Sequence, residues 1–281
     1  NECFKNCSSI TSFSISPAQE IYLGMRSFEG CKKIESINLK AENKIELLNS
    51  CFSGSKNLKS FQIESKDVSI DNYCFQNCSA ISHFLINSSN EVLLGTSALE
   101  GSYNLEKVVL NAENKLQILN NCFSGAKKLK IFEFNSKEVI IYNSCFYNCS
   151  SLKNFTNQNS NTIILYEKVF NCCYNLEKVH LTSNIEFSTG RFCFANLRNL
   201  EEVIIKSSKV TIGDYCFFNC LSLKSILFPT SIEVSYFRTS FYEVASKPKF
   251  KKNANIEINL SIQFNQNSQS AQLNYGYPSE M

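Results

Sequence analysis

Phenylalanine sets the rhythm of the apolar positions in this chain. Phe4, Phe28, Phe52, Phe75, Phe123, Phe146, Phe170, Phe194, Phe217 and Phe241 follow at steps of 24 or 23 residues, with Leu99 filling the one gap. Six residues after each comes Leu-x-x-Φ-x-Φ, where Φ is apolar: Leu58, Phe61, Ile63; Leu105, Val108, Leu110; Leu176, Val179, Leu181. Over the first ten coils only Asn157 puts a polar residue in this pattern. The closing alternation has period 2, so each coil contributes a short strand with one face buried. Seven and five residues before the Phe stands a second alternating pair, such as Ile21/Leu23 or Val139/Ile141, which predicts a second short strand. The space between it and the Phe predicts about one helical turn. Two residues after the Phe the chain carries Asn6, Gly30, Gly54, Asn77, Gly101, Gly125, Asn148, Cys172, Asn196 and Asn219. Gly and Asn tolerate φ > 0, so this column reads as a left-handed residue that turns the chain into the strand.

The steps run 24, 24, 23 and then repeat, a super-repeat of 71 residues over 19–89, 90–160 and 161–231. Ala41-Glu42-Asn43-Lys44 recurs as Ala112-Glu113-Asn114-Lys115, as duplication of a three-coil block requires. The short step loses its residue between Ile63 and Val68, Phe134 and Val139, and Ile205 and Val210, which places a loop there. One such unit cannot bury its own apolar edge, so the coils must stack.

The segment Val210–Pro229, with its Cys216-Phe217-Phe218-Asn219 turn and Leu223-x-x-Ile226-x-Phe228 strand, resembles the BspA-like leucine-rich repeats. The resemblance covers about residues 1–245. It implies a curved right-handed solenoid, mainly β with one short helical turn per coil. It also implies a surface or secreted protein, of the kind found in bacteria and anaerobic protists, that binds host or matrix partners. The Asn expected three residues after the last strand apolar stands only at Asn184, so no buried Asn ladder is expected.

At the ends the pattern changes. The unit after Phe241 has Lys247-Pro248 where the Leu should be, and Pro cannot donate to a ladder. The solenoid is therefore expected over 1–247. Ile256–Phe264 alternates strictly and reads as a strand capping the open core, within a cap of 248–264. The Asn-, Gln- and Ser-rich stretch 265–281 reads as a disordered polar tail. Asn1 opens inside a repeat with no first strand, which reads as a truncated end.

Composition narrows the function. Hydrophobic residues at 43 % and charged residues at 19 % exclude a disordered chain, and a net charge of +3 is too mild to argue for nucleic acid. No apolar run reaches the ~20 residues of a membrane-spanning helix. Thirteen of 14 cysteines fall in two columns, one before the Phe and three after it, where Ala, Ser, Val and Leu also stand. A metal ligand or a bridge would not be exchangeable for Ala, so the thiols read as small buried fillers. His83 and His180 are four coils apart, roughly 19 Å at ~4.8 Å per coil, so they cannot share a metal or a catalytic site. No Gly-rich phosphate loop or recurring carboxylate pair is present. The chain reads as a non-enzymatic binding protein with no cofactor.

The outward positions of the main strands are the candidate binding surface. Leu85, Val109 and Ile131, then Ile204 and Leu227, form an apolar group there, flanked by His83, Lys107, Glu133, Lys178 and His180. A contiguous exposed apolar group marks an interaction site more often than scattered ones do. The partner class is a host or matrix protein met at the cell surface or in secreted form. The alternative is a cytoplasmic scaffold, where free thiols are natural. In a eukaryotic export route, Asn87-Ser88-Ser89 is the glycosylation candidate, in a loop after the strand, whereas Asn6, Asn77 and Asn148 belong to the turn column. Asn157 in a core column should be a weak point, and Asn157→Ile should stabilise.

Overall fold

The computed structural model describes residues 1–157, 159–245, 247–250 and 255–259. It is a parallel β-solenoid. Its strands are β1 (Ser12–Leu23), β2 (Ser36–Leu47), β3 (Ser60–Ile70), β4 (His83–Leu94), β5 (Lys107–Ala112), β6 (Lys115–Ile118), β7 (Ile131–Asn135), β8 (Glu138–Ile141), β9 (Asn154–Thr156), β10 (Ser160–Leu165), β11 (Lys178–Thr189), β12 (Glu202–Lys206), β13 (Lys209–Ile212), β14 (Ser225–Phe228), β15 (Glu233–Phe237), β16 (Lys249–Phe250) and β17 (Asn255–Asn259). Where strands pair, each lies parallel to its counterpart one coil on. Ser12 lies beside Ser36, Ser36 beside Ser60, Ser60 beside His83 and His83 beside Lys107, so the 24, 24, 23 rhythm is the register itself.

The two strands of a coil are often one. β1, β2, β3, β4 and β11 run through both alternating patterns and bend at a corner rather than breaking into a loop. The corner takes up the missing residue as a register shift: Lys40 pairs with Glu64, but Lys44 pairs with Asp67. Ala18, Ala41, Ser65, Ala112 and Ser136 stand at these corners, where small side chains let the chain turn.

The third side of each coil corrects one expectation. Among the described residues there is no helical turn. Two tight turns replace it, with a left-handed residue two before the Phe as well as two after: Arg26 and Gly30, Ser50 and Gly54, Tyr73 and Asn77. Alternate amides explain why this form wins. Glu29 N–H donates to Arg26 C=O and Cys31 N–H to Phe28 C=O within the coil, while Phe28 N–H donates to Cys51 C=O and Gly30 N–H to Ser53 C=O of the next. A helical turn would keep its hydrogen bonds inside the coil. The double turn sends every second one across and closes a third ladder, so buried backbone groups are satisfied on all sides.

Inside, the Phe rings stack along the axis. Centroids of Phe4, Phe28, Phe52 and Phe75 are 4.9, 4.9 and 5.3 Å apart, and those of Phe123, Phe146, Phe170, Phe194 and Phe217 are 5.6, 5.3, 5.0 and 5.3 Å apart. Aromatic pairs of this kind contribute about 0.5–1.5 kcal/mol beyond their buried area. Leu99 is buried between the two runs.

The thiols are free, and 11 of them are buried. Those three after the Phe do more than fill space. Cys31, Cys78, Cys149, Cys173 and Cys220 donate to the carbonyls of Phe4, Phe52, Phe123, Phe146 and Phe194 one coil back, at 2.9 to 3.3 Å. Ser55 makes the same contact with Phe28 at 3.4 Å, which explains why Ser stands in the column.

Asn157 also departs from expectation. β9 ends at Thr156, which lies opposite His180 of β11. The Asn157 side chain takes the strand's place: Oδ1 accepts from Thr182 N–H at 2.8 Å, and Nδ2 donates to Thr182 C=O at 2.9 Å. Asparagines cap a second edge, because Oδ1 of Asn72, Asn120 and Asn143 accepts the N–H of Thr96, Asn143 and Glu167 one coil on. A ladder of asparagines therefore exists, three residues before the Phe, a column that the pattern did not single out.

Past Phe241 both sheet ladders continue. β16 pairs with β14 and β17 with β15 in the same parallel sense, Val234 beside Ile256 and Tyr236 beside Ile258. Residues 251–254 and 260–264 of the expected cap and the expected tail at 265–281 lie outside the described residues.

Candidate binding face

Burial alternates along the main strands, so their outward residues share one face. Parallel register fixes who stands beside whom. One row runs His83, Lys107, Ile131 and then, from β9 onward, Asn154, Lys178, Glu202; the other runs Leu85, Val109, Glu133 and then, from β9 onward, Thr156, His180, Ile204, Leu227. All ten residues singled out by the sequence are on this face. They do not form one apolar patch. Leu85 lies beside Val109 and Ile204 beside Leu227, but Val109 is followed by Glu133, and Ile131 stands in the other row beside Lys107. Ile131 is the most open of the five apolar residues, at 42 % exposed.

The charges between the two apolar pairs hold one another. Lys107 Nζ reaches Glu133 Oε2 at 3.2 Å, a diagonal pair around Val109 and Ile131. His180 Nε2 lies 2.8 Å from Glu202 Oε2, and Ser82 Oγ lies 3.0 Å from His83 Nδ1. Glu202 is a partner that no sequence pattern marks, since a contact across coils depends on register. These half-exposed pairs each contribute about 0–1 kcal/mol, so they shape the face more than they stabilise it.

A second apolar group lies on the outward side of the other ladder, and the sequence pattern did not mark it. Ile140 is beside Ile164, and the rings of Tyr142 and Tyr166 stack at 4.6 Å with 4° between planes. Ile140 is only 9 % exposed, so neighbours already cover much of this group. The pattern that hid it was an unbroken apolar run, Val139-Ile140-Ile141, in which period 2 cannot be read. Among the described residues no three His, Cys, Asp or Glu side chains are grouped to hold a metal ion, and no helix is long and apolar enough to cross a membrane.

The family model of the BspA type leucine rich repeat region matches residues 1–129, 116–244 and 188–276. The chain belongs to this family. Of solved structures, this BspA-type chain is similar to a leucine-rich repeat protein from Bacteroides ovatus, with 20 % identity over 89 % of this chain and 86 % of that one and a TM-score of 0.31. It is also similar to a leucine rich cell surface protein from Faecalibacterium prausnitzii, with 14 % identity over 88 % of this chain and 90 % of that one and a TM-score of 0.27. No curated protein matches the chain. As in any leucine-rich-repeat solenoid, the stacked strands offer side chains in straight rows, a surface suited to protein interaction.

Proposed function

We propose that this chain is a non-enzymatic, protein-binding solenoid that works at the cell surface or in secreted form, and that its main-strand face, concave in a curved solenoid, binds a host or matrix protein. Membership of a leucine-rich-repeat family supports the interaction role, and a cell surface relative from Faecalibacterium prausnitzii supports the location. The observation that carries the site is Ile131. Phe132 and Phe134 of the same strand already fill the core, so an Ile left 42 % exposed beside Lys107 contributes little to folding. Interface centres favour such residues inside a polar rim.

A partner screen against matrix and host-surface proteins tests this, with Val109→Glu plus Ile131→Glu as its control. The double variant should keep the melting temperature and lose attachment. Normal binding by that variant, with loss in an Ile164→Glu variant, would move the site to the other ladder. The second reading, a cytoplasmic scaffold, is favoured by the free buried thiols. Fractionation of the native source separates the two.

A further inference from the structure

Five Asn-x-Ser/Thr sequons lie wholly within the described residues, at Asn6, Asn77, Asn87, Asn148 and Asn154. The fold treats them differently. Asn6, Asn77 and Asn148 hold φ of 58, 59 and 59° in the turn column. The Oδ1 atoms of Asn6 and Asn77 press against Gly30 and Gly101 of the next coil, where not even a methyl group fits.

Asn87 is placed otherwise. It sits at the corner of β4, not in a loop, beside Glu64 and Asn111. Its Oδ1 accepts from Asn111 Nδ2 at 2.8 Å, which orients the amide, and its own Nδ2 has no hydrogen-bond partner among the described residues. Ser88 Oγ is tied to the carbonyls of Lys66 and Glu91 at 2.6 and 3.0 Å, so the corner is held firm. Ser89, the third residue of the sequon, is exposed. Beside Asn87 opens a trough of about 710 Å³ that crosses four coils. Pro17, Ala18 and Ala41 give it an apolar floor, and Lys40, Glu42 and Lys66 give it charged walls. A pyranose has both an apolar face and a ring of hydroxyls, and matches such a lining.

We propose that Asn87 is an N-glycosylation site of this chain and that the first sugars lie in this trough; the inference rests on the export reading above. The donor is a lipid-pyrophosphate-linked oligosaccharide of the eukaryotic export route. The Asn87 amide nitrogen bonds to the anomeric carbon, the bond from that carbon to the pyrophosphate oxygen breaks, and the lipid pyrophosphate leaves with the electron pair. The amide proton passes to a base of the transferase. Transfer occurs on the chain before it folds. The fold then decides which products can close their coils, and at Asn87 the trough leaves room for the sugar.

The test is to produce the described chain in eukaryotic cells behind an export leader and a tag bearing a sequon of established use, and to map glycans by mass spectrometry. Secreted protein should carry a glycan at Asn87, and Asn87→Gln should remove it. Enzymatic release from native protein should be roughly tenfold slower at Asn87 than at the tag, which corresponds to about 1.4 kcal/mol of contact in the trough. A glycosylated tag with bare Asn87 overturns the site, and equal release rates overturn the trough. A glycan at Asn154, on the outward side of β9 beside Lys178, would instead count against the binding-face reading and leave Asn87 standing.

Discussion

Asn157→Ile is the sharpest test of how the coils are joined. Judged by its column, the change restores the apolar residue that nine other coils carry. Judged by its contacts, it removes two hydrogen bonds to Thr182 and a third, at 3.2 Å, to Ser160 Oγ. Each bond to the Thr182 backbone contributes about 1 kcal/mol net, and a peptide group left unpaired in a coil interface costs about 1–3 kcal/mol. Against this, an Ile at a half-buried position gains about half of the 1.5–3 kcal/mol of full burial. The balance is a loss of about 1.5–4 kcal/mol. For a chain of this size that lowers the melting temperature by roughly 2–4 °C per kcal/mol. Asn157→Asp separates geometry from polarity: it keeps an acceptor for Thr182 N–H but sets a carboxylate against Thr182 C=O, and should destabilise as well. Urea denaturation followed by circular dichroism measures all three proteins under one protocol. A midpoint for Asn157→Ile equal to or above the parent would refute the claim that this side chain continues the ladder.

The remaining predictions concern thiols and turns. Thiol titration of native protein should find Cys3 promptly, Cys7 and Cys172 more slowly, and the 11 buried groups only after denaturation; fewer than 14 in denatured, unreduced protein would establish disulfides. Burial pushes the Cys78 and Cys220 thiols up to about 12 from an ordinary 9.0. Between those values the unfolded chain ionises and the folded one does not, so stability should be flat below about pH 9 and fall as pH rises toward 12, by up to about 1.4 kcal/mol per unit for each such thiol. An alkaline limb that does not flatten in a Cys78→Ala, Cys220→Ala variant would break that link. Gly101→Ala forces a methyl group onto Asn77 at φ 75° and should cost at least the ~1–2 kcal/mol of a left-handed alanine, while Gly54→Asn, in open space and with a residue native to the column, should cost less; equal losses in chemical denaturation would refute the crowding at Gly101.

How far the sequence alone reaches depends on the range of the forces involved. Period-2 alternation at Phe61/Ile63 and Val68/Ile70, the Phe column and the Leu-x-x-Φ-x-Φ pattern determined the coil, its length, its stacking and its buried face, because burial acts on each residue separately and repeats with it. The main-strand face was legible for the same reason: what is not inward in a strand is outward. Three matters were decided only by the stacked coils. The turn before each Phe is double because alternate amides such as Phe28 N–H find carbonyls one coil away, a gain that a single coil cannot offer and that lets Arg26 and Tyr73 adopt a left-handed form their side chains do not favour. Asn157 is a rung and not a flaw because its side chain reaches both the N–H and the C=O of Thr182 in the next coil. Lys107 meets Glu133, and His180 meets Glu202, only through register between strands. Hydrogen bonds and ion pairs need a named partner at a fixed distance, and here that partner stands more than 20 residues away, where only the tertiary structure brings it close.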